Sequence, residues 1–207
     1  MKVAKLGIIF GLGLVVVSGA RGQSLIVDFT SPGGVTTGVS DLVLGFEFQV
    51  NSPVTVIGLA DFAPTAAGNR VGLWDASQNL LATATVNSAD PSIGHGFFNF
   101  AAVPSTALLP GSYYVGAELD GLDGSDAAYT WDGTGLTTLP QISNLIPAYE
   151  FGGALILPDI PDGGAASAYF GGNVVVENRV PDAGTTIGLF GLALTGLGVL
   201  RRRFRTQ

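Results

Sequence analysis

Three carboxylates, Asp120, Asp123 and Asp126, recur at three-residue spacing in the glycine-rich stretch Asp120-Gly121-Leu122-Asp123-Gly124-Ser125-Asp126. Such a loop offers hard oxygen donors, and calcium takes about six to eight of them at roughly 2.3–2.6 Å. The spacing departs from the EF-hand, whose acidic residues alternate. The plainer account is a solvated turn in which Asp and Gly serve backbone geometry. Calcium is the only cofactor these residues suggest. The second set is aromatic: Trp74, Tyr113, Tyr114, Tyr129 and Trp131. A ring pairs an apolar face with a polar edge and can stack on a sugar. Trp74 and one of Tyr113 and Tyr114 suit a core better, which leaves Tyr129 and Trp131 as carbohydrate candidates. The single histidine, His95, stands between Gly94 and Gly96. One histidine makes no multi-histidine metal site, and this one reads as a loop residue.

Cysteine is absent, which removes thiolate catalysis and any disulfide framework. No G-x-S-x-G nucleophile elbow occurs. Carboxylate pairs suited to glycoside hydrolysis stay open as an alternative. Glutamates are few (Glu47, Glu118, Glu150, Glu177), and Glu47 sits in a plainly alternating strand. The expectation is a protein that is not an enzyme. Charge narrows the partners further. Between Gln23 and Asp182 sixteen carboxylates stand against only Arg70 and Arg179, a net of −14. Such a body repels nucleic acid and anionic lipid and is compatible with cations.

The elements that must position these residues read as strands. Leu42–Val50 alternates Phe46, Phe48 and Val50 with Glu47 and Gln49, the period of a half-buried strand. Arg70–Asp75 and Leu80–Val86 flank the turn Ala76–Asn79 as a hairpin. Ser24–Asp28, Val54–Leu59, Phe97–Val103, Ser112–Glu118 and Asn173–Arg179 complete the clear strands, with a short one at Tyr129–Asp132. Thr30–Val39 reads as a loop. Thr134–Phe151 is poorly periodic and is expected to cover an edge or an end. No stretch sustains a 3.6-residue repeat over four turns. Turn signals every 8–12 residues predict an all-β fold, an antiparallel β-sandwich of jelly-roll type, over residues 23–179.

The two ends differ in kind. Met1–Lys5 is basic, Leu6–Val17 is apolar, and small residues follow, so residues 1–22 read as a helical signal peptide for signal peptidase. Its cleavage positions are Ala20 or, by the second option, Gly22. At the other end Val180-Pro181-Asp182-Ala183-Gly184 and Thr185-Thr186 precede an uncharged run over 187–200, and Arg201, Arg202, Arg203 and Arg205 follow. Fourteen helical residues span roughly 21 Å, short of the roughly 30 Å hydrocarbon core. Snorkelling arginines and local thinning make such a transmembrane helix tolerable. The arginines, a membrane stop, should stay cytoplasmic.

This order of motif, apolar helix and arginine cluster resembles the PEP-CTERM class of bacterial sorting signals, in its variant with Val-Pro-Asp-Ser-Gly. Ala183 stands where that variant usually has Ser. The resemblance covers 180–207 and implies handling by an exosortase, a membrane transpeptidase-like enzyme of bacteria that make exopolysaccharide. It also implies transient anchoring in the inner membrane, then placement at the cell surface or outside the cell. Leu44–Glu118, with Val71-Gly72-Leu73-Trp74-Asp75 and Leu109-Pro110-Gly111-Ser112-Tyr113-Tyr114-Val115, resembles a β-sandwich module of unknown function in bacterial extracellular proteins. The expectation is therefore a non-enzymatic surface or matrix protein linked to exopolysaccharide. The alternatives are a calcium-dependent carbohydrate-binding module and a glycan-active hydrolase.

Overall fold

A computed structural model describes residues 21–39, 41–119, 127–131, 133–162 and 170–179. Within them Gly22–Asn178 forms one compact unit. The signal-peptide and C-terminal helices, Ala20, Val180–Gly184, Arg201, Arg202, Arg203, Arg205 and the Asp120–Asp126 loop lie outside the described residues.

The described residues contain strands and no helix. In order these are Arg21–Leu25 (β1), Val27–Asp28 (β2), Gly34–Val39 (β3), Leu42–Val50 (β4), Val54–Phe62 (β5), Asn69–Asp75 (β6), Leu80–Val86 (β7) and Ser92–Ile93 (β8). Phe98–Leu108 (β9), Gly111–Glu118 (β10), Ala127–Trp131 (β11), Thr137–Thr138 (β12), Ile142–Phe151 (β13), Ile160–Pro161 (β14) and Gly172–Arg179 (β15) follow. One sheet has the order β1-β15-β5-β9-β8 and another β14-β13-β4-β10-β6-β7; β11-β3 and β12-β2 are two-stranded ribbons. The registered pairs are antiparallel.

Alternation decides what each strand buries. Phe46, Phe48 and Val50 of β4 and Val115 and Ala117 of β10 share a buried cluster with Val56 and Leu59 of β5, Phe98 of β9 and Val174 of β15, so both larger sheets feed one core. Phe29 sits among Phe62, Phe97, Phe98 and Phe170, with ring centroids 5.3–6.2 Å apart. The two sheets approach closely at Gly172 of β15, where a Cβ would stand 2.7 Å from the Gly116 carbonyl carbon and 2.9 Å from the Ala117 nitrogen. No side chain fits there, so glycine sets the separation.

Three expectations need correction. Thr30–Val39 is not all loop, because β3 pairs with β11 in a ribbon that asks no apolar alternation of its Gly and Thr residues. Thr134–Phe151 contains a ten-residue strand, β13, paired along β4 from Ile142↔Val50 to Phe151↔Leu42. Its periodicity is broken by a bulge between Ser143 and Ile146, with Asn144 at φ 51°. The strand placed at Phe97–Val103 runs from Phe98 on to Leu108, with a shift in register against β5 around Pro104.

Candidate functional site

The carbohydrate candidates Tyr129 and Trp131 lie two apart on β11, so their rings leave the same face while Ala128 and Thr130 turn inward and are buried. Their ring centroids are 5.8 Å apart at 44°. Trp131 is half-buried and lies flat against Gly34, its partner on β3. A side chain at residue 34 would collide with the indole. Tyr129 rests on a small cluster around Leu44 and Leu119, and Tyr149 of β13 packs on the same cluster. Tyr149 meets Phe151 edge-on at 5.4 Å and 80°, and Phe151 is 68% exposed. Trp131, Tyr129, Tyr149 and Phe151 thus run as a broken aromatic line, joined in the middle by leucines. Tyr149 and Phe151 were missed in the sequence, although Ala148-Tyr149-Glu150-Phe151 carries the period-2 signal.

The remaining aromatics do other work. Tyr113 stacks on core Phe48 at 5.9 Å, and its hydroxyl donates to the Leu109 carbonyl. Trp74 is buried over Gly72. Tyr114 leaves the opposite sheet face, where loss of solvent first, and then the charges of Glu47 and Asp159, push its hydroxyl above the ordinary tyrosine value.

His95 does more than occupy a loop. Its Nδ1 lies 3.0 Å from Asp28 Oδ2, across 67 residues of sequence. The other carboxylate oxygen of Asp28 accepts the Phe29 backbone N–H at 2.9 Å. Gly94 presses on this group; a Cβ there would meet Asp28 Oδ1 at 2.8 Å. Beside the pair opens a pocket of about 230 Å³ between β1, β2, β8 and β12.

A third polar feature is internal. Asp61 and Asn69 are fully buried, and Asn69 Nδ2 donates to Asp61 Oδ2 at 2.6 Å. The other two oxygens, Asp61 Oδ1 and Asn69 Oδ1, have no hydrogen-bond partner among the described residues. Burial drives the Asp61 carboxyl up to about 8, against the opposing hydrogen bonds of Asn69 and the Phe62 backbone. Among the described residues no three His, Asp or Glu side chains converge as metal ligands. Of the predicted cleavage residues, Gly22 lies in β1.

Residues 179–204 match the VPDSG-CTERM motif, a stretch that takes in Val180–Gly184 and Arg201, Arg202 and Arg203. The motif marks an exported protein of the PEP-CTERM type that is processed by an exosortase. No curated protein and no solved structure matches the chain.

Proposed function

We propose that this exported, exosortase-sorted protein is a non-enzymatic surface or matrix protein whose all-β body contacts exopolysaccharide. The body is read as a sandwich of the two larger sheets, a reading supported by their common core and by the glycine contact between β15 and β10. One observation carries the glycan contact: the line Trp131–Tyr129–Tyr149–Phe151, with Phe151 exposed at one end and Trp131 half-buried at the other. Aromatic faces shed little ordering entropy on binding and match the C–H faces of pyranose rings. Phe151 spends exposed apolar area where no folding role requires it.

The test is co-sedimentation of the exported protein with exopolysaccharide of its own host. Trp131→Ala and Phe151→Ala are each expected to lower the retained fraction about tenfold, equivalent to roughly 1.4 kcal/mol. Phe151→Ala should leave stability within about 0.5 kcal/mol, since exposed positions contribute little. Equal retention of wild type and both variants would remove the aromatic line from the reading. Absence of retention for the wild type would remove the glycan.

A further inference from the structure

The pocket beside the Asp28–His95 pair is built from parts the aromatic line does not use. Asp28 cannot swing away, because the Phe29 N–H holds Oδ1, His95 holds Oδ2 and Gly94 closes in from the side. Thr137 and Thr138 of β12 and Ser24 of β1 add hydroxyls to the lining. Asn178 donates its amide to Ser24 Oγ at 3.3 Å, so the Ser24 proton is directed elsewhere. Leu25 and Ile93 supply apolar surface in the same pocket. A fixed carboxylate, several hydroxyls and an apolar patch form the set that reads a polyhydroxylated ring: oxygens take the ring hydroxyls, and the patch takes its C–H face.

Size and charge narrow the ligand. About 230 Å³ is below the usual range of about 300–1,000 Å³ for small-molecule sites, so one ring fits better than two. Among the described residues the lining contains a carboxylate and no lysine or arginine, which disfavours an acidic sugar. His95 stands outside the lining and serves to hold Asp28, and its side chain is half exposed at 51%.

We propose that this pocket binds a single neutral sugar ring, the terminal residue of a glycan chain. The proposal deepens the glycan reading and rests on it for the source of the sugar. The aromatic line would then hold the length of a chain, and the pocket its end.

The exported protein is titrated with free glucose, galactose and mannose, and separately with glucuronate, by saturation-transfer NMR. Saturable binding of at least one neutral sugar is expected with Kd on the order of 1 mM, and glucuronate at least tenfold weaker. Asp28→Asn should weaken the neutral sugar at least tenfold. Thr138→Tyr, a change at an exposed lining position that spares the fold, should abolish it by filling the space. Leu109→Ala, at an exposed position outside the pocket lining and the aromatic line, should leave it unchanged. Silence from all three neutral sugars overturns the proposal, as does glucuronate binding equally well or Thr138→Tyr binding like wild type. The two ideas fail separately. Monosaccharide binding without polysaccharide retention removes the exopolysaccharide contact and leaves the pocket as a site for a free sugar, and retention without monosaccharide binding sinks the pocket alone.

Discussion

At the scale of single residues, Asp61 and Asn69 present an accounting problem with a definite answer. Two buried oxygens without partners would each cost about 1–3 kcal/mol. A proton on Asp61 changes the balance. The carboxylic acid gains a donor, and an acid facing an amide can exchange two hydrogen bonds where the carboxylate exchanges one. Opposite Asp61 the neighbouring strands place Gly172 and Asn99, neither of them charged. Arg70, next to Asn69, is engaged with Glu118 through two hydrogen bonds. Burial therefore governs, and Asp61 is protonated in the fold up to about pH 8. In the unfolded chain it ionises near 3.8. Folding takes up a proton between these values, so stability is fully present below about pH 4 and is lost as pH rises through about 8. Denaturant melts at about pH 5 and about pH 8 should differ by a few kcal/mol more in the wild type than in Asp61→Asn. Equal slopes for the two proteins would mean that Asp61 is ionised in the fold.

At the scale of elements, two glycines separate space from conformation. Gly172→Ala places a methyl group against the backbone of β10, and backbone cannot move aside without parting the sheets. The expected loss is about 1–3 kcal/mol or more. Gly96, in the turn that carries His95, has open space around it but a φ of +87°. Gly96→Ala should cost only about 1 kcal/mol, the strain of a left-handed residue. A thermal melt of the two variants checks the order; Gly96→Ala proving the worse would mean that the sheet contact yields.

Which elements were legible follows from how each strand meets its neighbours. Leu42–Val50 and Leu80–Val86 were placed with their observed bounds; β4 pairs with β10 along its length without a shift, which lets its alternation show. Even in β7 a bulge opposite Leu73 and Trp74 shifts the pattern and leaves Leu80 half exposed. β13 was missed because its bulge resets the phase midway. β9 was cut short because proline reads as a strand breaker. Yet Pro104 falls where the register against β5 jumps from Gly58↔Ala102 to Val56↔Thr106, a break in the ladder that tolerates a missing N–H. The site divides in the same way. Tyr129 and Trp131 were readable as a local pair. The Asp28–His95 contact depends on β2 meeting the β8–β9 turn, a long-range closure that spacing does not encode.

At the scale of the whole molecule, charge decides which glycans can approach. The stretch from Gln23 to Asp182 carries sixteen acidic against two basic residues, so it presents a negative field to any partner. A neutral polysaccharide meets this field without Coulombic penalty, and its retention through rings and hydroxyls should change less than about twofold between low salt and 0.5 M. An acidic polysaccharide is repelled at low ionic strength, where the Debye length is about 30 Å at 0.01 M. It should gain affinity as salt shortens that length to about 10 Å at 0.1 M. Co-sedimentation with one neutral and one uronic-acid polysaccharide across this range separates the cases. If the acidic polymer is held best at low salt, a bridging cation must connect it to the carboxylates, because no direct contact between two polyanions behaves that way. A chelator added at low salt would then release it, and the binding surface would be acidic rather than aromatic.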